Sequence, residues 1–485
     1  MSTQTNEPRM YGGWRRSRGV GLFGLGTRAT LILLAIFTVM IIAAALNPVS
    51  LVWIIPPAGA GCAAGMIRPG GVSLATRATQ RARWINGTRH GWTRYQPDAI
   101  VTAAGEIPLP GPLAALELLA AEDGYGGSYG LVRDRHTGCL TTVLTVVPAS
   151  TWLAEPEDAD GWVAAWGEWL AALGHSPAIR WVSVTASTAP DPGADLADSL
   201  AADLDPHAPA PAREIMAQLA APAPATASHV ETTVSITIDP AASPARPRTL
   251  RDAVAETGRM LHGLQSRLGS CGVTVTGRAA PERIASIVRA AYDPAARADL
   301  TRNPATWETA GPGGAKEEWD RYRHAGAVSV SWAWREAPRS NVHSDVLARL
   351  TAPSAWPKRV TLQYRPFPAT SATRVLESEV RAAEFRQEYA RRTKRDATAR
   401  DAFDHARARQ AAMEEARGAG VTLVSIYVTV TAVNDDDLPR AVAVTEAAAD
   451  SSKLTLQRLY GAQSGGFAAG LPCGIYLPDL ARRLR

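Results

Sequence analysis

Residues 29–67 constrain this chain more than any other stretch. The segments ATLILLAIFTVMIIAAAL and VSLVWIIPPAGAGCAAGMI stand on either side of Asn47-Pro48, and neither carries a charged side chain. Each is close to the roughly 20 residues that a bilayer core requires. A backbone crossing lipid must satisfy its own hydrogen bonds, so both runs are expected to be helical, and Asn-Pro ends one helix and turns the chain. The expectation is a transmembrane helical hairpin. Arg9, Arg15, Arg16, Arg18 and Arg28 precede it, and Arg68, Arg77, Arg81 and Arg83 follow it. Because arginine stays on the cytoplasmic side, both termini and the large remainder are expected to be cytoplasmic, which makes a multi-pass inner-membrane protein. A cleaved signal peptide or a buried core hairpin is the alternative, and the second apolar run argues against the former. In that second run Ala60 with Ala64 and Gly61 with Gly65 repeat at four-residue spacing, which lets a partner helix approach closely. Trp14, Arg15, Arg16, Arg18, Arg28 and Arg68 are expected at the headgroup level, where rings and guanidiniums suit the interface.

The remainder is long enough for two or three folded units by a prior of about 150 residues each. Charge is nearly balanced, 51 basic against 46 acidic residues, and much of the excess lies beside the apolar runs. That favours lipid headgroups over nucleic acid as the basic partner. Cys62, Cys139, Cys271 and Cys473 are far apart and form no CxxC pair, so neither a disulfide framework nor a metal site is indicated.

Residues 1–28 read as an Arg/Gly-rich lead and 68–122 as a basic juxtamembrane linker, with a short helix over 113–120. The run YGLVRD, a turn at His136-Thr137-Gly138, and CLTTVLTVV predict a β-hairpin. Trp162, Trp166, Trp169, Leu170 and Leu173 recur at helical spacing and predict a core-facing helix. Strands are expected over 179–187, 229–239, 272–277, 326–336 and 421–432, and in RVTLQYRPFP. Helices are expected from Thr249 to Leu268, from Pro281 to Tyr292 and, after Asn434-Asp435-Asp436, to Asp450. Residues 293–324 read as an irregular insertion, and 371–417, rich in Ala, Glu and Arg, as a long solvated helix. The tail is expected to hold a short strand, a helix and a closing extended segment. The order of elements predicts an α+β fold: split βαβ, ferredoxin-like modules at 123–340 and 341–485, each with helices on one face of a mixed sheet.

Familiar catalytic patterns do not occur. The lysines are Lys316, Lys358, Lys394 and Lys453, and none sits in a P-loop; GPGGAKEE has the wrong glycine spacing and no hydroxyl after its lysine. There is no GxSxG elbow and no HExxH. Asp435, Asp436 and Asp437 lack the alternation of a calcium loop and suit a helix cap. His136 sits at a hairpin tip, where a turn role is the simpler reading. These residues point to a protein that is not an enzyme, with no cofactor, no metal and no catalytic residues.

The lead YGGWRRSRGVGLFGLG and the two apolar runs resemble the small two-helix inner-membrane subunit of actinobacterial conjugative, type IV-like secretion systems. YGLVRDRHTGCLTTVLTV, VTLVSIYVTVTAVNDDDLPRAV and AQSGGFAAGLPCG resemble the non-motor amino-terminal domain of the conjugation ATPase, and the sequence stops about where the motor would begin. The resemblance implies a structural inner-membrane component that docks a separate ATPase or coupling protein, alongside other inner-membrane subunits and membrane lipids, with nucleic acid only as transported cargo. An E-type component of a type VII core complex, or a membrane-bound enzyme with scattered residues, are the alternative readings.

Overall fold

The structure is a computed structural model describing residues 10–12, 74–97, 109–122, 127–150, 154–190, 208–220, 228–336, 340–368 and 420–483, with single residues 35, 38, 41, 42, 45, 205, 338, 372, 374, 377, 406, 410 and 413. The chain forms two compact units, one of Gly13–Trp92 with Ala369–Ala419, the other of Met1–Gly12, Thr93–Pro368 and Gly420–Arg485.

The first unit contributes helix α1 (Leu74–Arg89), a polar helix exposed over most of its length. The Arg81 guanidinium lies 5.0 Å from the ring of Trp84, and the backbone N–H of Trp92 donates to the carbonyl of Gly87 as the helix ends. The long helix expected over 371–417 lies outside the described residues, apart from six single positions.

The second unit is an α+β body on one sheet. In chain order it runs β1 (Arg94–Tyr95), β2 (Leu116–Glu122), β3 (Ser128–Asp134), β4 (Leu140–Pro148), α2 (Pro156–Leu173), β5 (Ile179–Pro190), α3 (Ala210–Ala220), β6 (Ser228–Ile238), α4 (Leu250–Ser266), β7 (Val273–Arg278), α5 (Pro281–Tyr292) and α6 (Arg297–Arg302). It continues with β8 (Ala315–Glu317), β9 (Tyr322–His324), β10 (Ala327–Glu336), α7 (Ala348–Thr351), β11 (Lys358–Pro366), β12 (Thr422–Ala432), α8 (Leu438–Ser451), β13 (Thr455–Arg458), α9 (Gln463–Ala469) and α10 (Leu477–Arg483). All of these strands join a 13-stranded sheet of order β1-β8-β9-β10-β12-β11-β5-β6-β4-β3-β2, with β7 added to β4 and β13 to β10.

Within that sheet the strands β4, β5, β6 and β7 lie in the order β7-β4-β6-β5, and β10, β11, β12 and β13 repeat it as β13-β10-β12-β11. Each run is therefore ordered fourth-first-third-second, and a hairpin strand (β3 or β9) shares the outer edge of its first strand. The runs meet where β5 pairs with β11, from Lys358↔Thr188 to Tyr364↔Val182. Every pairing among the described strands is antiparallel. The expected fold of mixed-sheet modules behind a transmembrane hairpin is thus corrected to an α+β unit on a single antiparallel sheet. The physical reason is that β5 and β11 present adhesive edges: their facing segments are rich in β-branched residues and hold no proline or bulge to keep another strand away.

Local chemistry accounts for the helices. Pro156 opens α2 with Glu157 and Asp158 in its first turn, a favourable placement for the helix dipole. Its Trp169, Leu170 and Leu173 are buried, and the Trp169 indole donates to the Leu264 carbonyl at 3.2 Å. Thr249 caps α4, its Oγ1 accepting from the Asp252 N–H. Of residues 113–120, expected as a helix, Leu113 closes a single 3-10 turn (Gly111–Leu113) and those from Leu116 enter β2, which pairs with β3 from Leu116↔Asp134 to Glu122↔Ser128; tertiary pairing overrides the helix propensity of Leu and Ala. The stretch 293–324 holds α6, β8 and β9, and the closing segment ends in α10 rather than an extended strand.

Among the described residues no helix is long and apolar enough to cross a membrane. That overturns the expected multi-pass inner-membrane placement with both termini cytoplasmic. The longest of these helices, α2, carries Glu157, Asp158, Asp160 and Glu168, and α1 carries Arg77, Arg81, Arg83 and Arg89. Such charges are incompatible with a hydrocarbon environment. Of residues 29–67, where the hairpin was expected, only Ala35, Thr38, Ile41, Ile42 and Ala45 are described, all in helical conformation.

Candidate functional site

Alternation along the strands gives the sheet two unlike faces. One is apolar: Leu144, Val146, Val182, Val234, Ile236 and Ile238 pack against α2 and α4, while Val328, Val330, Trp332, Val360, Val428 and Val430 pack with α8. Fully burying such a side chain contributes roughly 1.5–3 kcal/mol. The opposite face is lined by small hydroxyls, among them Thr141, Ser183, Thr185, Thr237, Ser329, Ser331, Thr361, Thr429 and Thr431, and it too is buried. Hydroxyls on neighbouring strands satisfy one another: Thr141 with Thr237 at 2.9 Å, Thr185 with Thr361 at 3.0 Å, Ser329 with Thr431 at 2.8 Å and Ser331 with Thr429 at 2.9 Å.

This polar face is covered by α5 and by a strap made of α9 and residues 470–476, whose Phe467, Ala468, Leu471 and Cys473 form one core with Ile284, Val288 and Tyr292 of α5. Glycine is what allows the strap to lie flat. A Cβ on Gly474 would come within 2.0 Å of Thr141 Oγ1, and its φ of +72° is one that other residues adopt only with strain. A Cβ on Gly466 would meet Ser331 Cβ at 2.6 Å. Side chains pin the strap as well. Gln363 Nε2 donates to the Ile475 carbonyl at 2.8 Å, and Trp181 stacks on Tyr476 at 5.2 Å.

Two buried basic groups lie on this face, and they are treated differently. His324 is part of a relay. The Tyr292 carbonyl can only accept, so Nδ1 of His324 carries the proton that donates to it at 2.6 Å. Nε2 therefore accepts from Ser329 Oγ at 2.8 Å, which leaves Thr431 to donate to Ser329. Burial holds this imidazole neutral, with its pKa pulled down to about 3. Arg359 is also buried, but its Nε and Nη2 have no hydrogen-bond partner. Its guanidinium lies 4.5 Å from the ring of Phe467, and burial lowers its pKa to about 10, which still leaves it charged at neutral pH. Burying a charge with its hydrogen bonds incomplete is costly, of the order of several kcal/mol per ion. Arg359 lines a cavity of about 70 Å³ between β5, β6, α5, α6 and the strap. Thr185, Ser187, Arg297 and Gly470 share its wall, and Arg283, Glu231 and His229 stand with them. Arg283 Nη2 binds Glu231 Oε1 at 2.6 Å, so that carboxylate has its own cation.

The residues singled out in the sequence are not the residues gathered here. Trp14, Arg15, Arg16, Arg18, Arg28 and Arg68, and the helix-packing set Ala60, Gly61, Ala64 and Gly65, lie outside the described residues. His136 has the turn role: its N–H donates to Asp134 Oδ1 at 2.9 Å, and Thr137 Oγ1 donates to Oδ2 at 2.7 Å. Asp435, in the 3-10 turn that precedes α8, pairs with Arg323 at 2.6 Å. Cys139, Cys271 and Cys473 are free, buried thiols, and Cys62 lies outside the described residues. Arg359 was passed over because it reads as one more polar position in an alternating strand. The signal that could have found it is the chemistry of the polar positions in IRWVSVTAS, VETTVSITI and VSIYVTVTA: apart from Arg180 and Glu231 near the strand ends, they hold Ser and Thr where a solvated face would hold Lys and Glu. No protein-family model matches the chain, and a search of curated proteins gives no match.

Proposed function

We propose that this chain is a non-catalytic docking component of a type IV-like, conjugative secretion system, which binds a separate ATPase or coupling protein through its 13-stranded body. The observation supporting this reading is where the stretches of resemblance fall. YGLVRDRHTGCLTTVLTV is the β3–β4 hairpin, VTLVSIYVTVTAVNDDDLPRAV is β12 with the start of α8, and AQSGGFAAGLPCG is the strap that closes the polar face. All three belong to one compact unit, so the resemblance describes a folded body rather than dispersed similarity. Other subunits of the machine would be its partners, and nucleic acid would reach it only as cargo. Affinity purification of the full chain from cells expressing the system, followed by crosslinking and mass spectrometry, tests the reading. The expected result is recovery of the system's ATPase with crosslinks to the sheet-bearing unit. A chain that purifies under mild conditions as a clean monomer, with no ATPase crosslinked in the cell, would overturn it.

A further inference from the structure

We infer that the cavity between β5, β6, α5 and the strap is a binding site for a phosphate-class oxyanion, held by the buried guanidinium of Arg359 with Arg297 and the hydroxyls of Thr185 and Ser187 around it. The first argument is charge. Arg359 is 8% exposed, and its Nε and Nη2 meet no acceptor. Its close ionisable neighbours do not balance it. Burial raises the Cys473 thiol to about 12 and the Tyr292 phenol well above its ordinary value, so both are neutral. Burial keeps His324 neutral too, and the remaining neighbour, Arg297, has the same sign as Arg359. The one carboxylate of the cavity wall, Glu231, is already bound by Arg283 and lies 4.0 Å from His229 Nε2.

The second argument is space. About 70 Å³ is several times the roughly 10–15 Å³ that one water requires, so the cavity has room for a polyatomic ion. The third is the chemistry of the wall. Guanidinium forks suit bidentate binding of oxyanions, and Thr185 and Ser187 add hydroxyl-bearing residues from another strand. A wall of cations and hydroxyls drawn from several elements suits a tetrahedral ion, with oxygens on every side, better than a planar carboxylate. Arg283 and His229 are partly exposed, their side chains 47% and 40% accessible, and they mark a route by which a phosphate could enter from solvent.

This inference does not rest on the docking reading, and its failure would leave that reading untouched. The test is calorimetric titration of the full chain with inorganic phosphate and with AMP at constant ionic strength, chloride being the control, repeated on R359M and R297Q. Saturable phosphate binding that weakens about 30-fold or more in R359M is the expected result, that being the size of effect when one partner of a buried charge pair is truncated. R297Q should weaken binding less and keeps Arg359 in place if R359M fails to fold, which near-ultraviolet circular dichroism would reveal. Comparable or tighter binding of AMP would assign the site to phosphomonoesters, and binding of phosphate alone would assign it to the free ion. No saturable binding of either probe, or equal binding by wild type and the folded variants, would overturn the inference.

Discussion

The two four-strand runs occupy equivalent places in one sheet, yet different groups do the same work in each. Their first strands show this most clearly. β4 pairs with β3 as far as Thr142 and with β7 from Leu144, and the Val143 carbonyl between them accepts from the backbone N–H of Ala279. β10 pairs with β9 as far as Ser329 and with β13 from Trp332, and the Ser331 carbonyl accepts from the backbone N–H of Leu459. At Ser331 a side chain joins in: Gln463 Oε1 accepts from the Ser331 N–H at 2.8 Å, and Gln463 Nε2 lies 3.3 Å from its carbonyl. The crossovers differ too. The first run buries its apolar face under an 18-residue helix, α2, whereas the second has only the short α7 between its first two strands. Strand order is thus the conserved quantity between the runs, while the covering helix is free to shrink. The lesson is that the pairing of β-strands, once set by alternation, specifies the architecture, and the packing elements adapt to it.

Substitutions can break this comparison at its strongest point. G474V, over the first run, forces both a strained φ and a collision with Thr141, and should cost about 3–5 kcal/mol in urea unfolding. A single cooperative transition in that variant would mean the strap holds both runs together; two transitions would separate them. The next effect belongs to the second run alone. An unfolded His324 titrates near its ordinary value of 6.5, while the folded one is held down to about 3. Between those values the unfolded chain binds the extra proton, so stability falls as pH drops below about 6.5, at up to roughly 1.4 kcal/mol per pH unit. H324Q should flatten that part of the stability–pH curve, and an unchanged slope would remove His324 as its source.

Smaller effects sharpen the picture. Q463L leaves the Ser331 N–H unsatisfied and should cost about 1–3 kcal/mol, whereas the first run, which fills its gap with backbone, has no such vulnerable side chain. At the seam between runs, T185V orphans Thr361 and should cost about 1–2 kcal/mol, while the double variant T185V/T361V should restore near-wild-type stability. A double variant as unstable as the sum of the singles would show that these hydroxyls have other partners.

Much of the body was legible in the sequence because its strands alternate cleanly. Val328, Val330 and Trp332 predict β10, and Thr249 and Pro281 mark the starts of α4 and α5. What misled was local reading of segments whose structure is imposed from outside. LAALELLAA has helix-favouring residues but sits beside β3, and Ala315–Glu317 is too short to announce itself as a strand without β9. The sheet's continuity was invisible for the same reason, since nothing in β5 or β11 names its neighbour. The candidate site escaped because it depends on three distant stretches meeting: Arg359, the β5 hydroxyls and Gly470 of the strap. The apolar runs stand out because hydropathy is a local signal, whereas a buried guanidinium with two unsatisfied nitrogens is a property of the folded chain.

The strap lies beyond the last strand of the sheet, so on a ribosome it emerges only after every strand it will cover. Until then the face it will cover stands open. Had that face been built of valine and leucine, it would be an adhesive surface during synthesis, of the kind that draws nascent chains into aggregates. A surface of serine and threonine can wait in water at little hazard, and it closes when the glycine-rich segment arrives to displace that water.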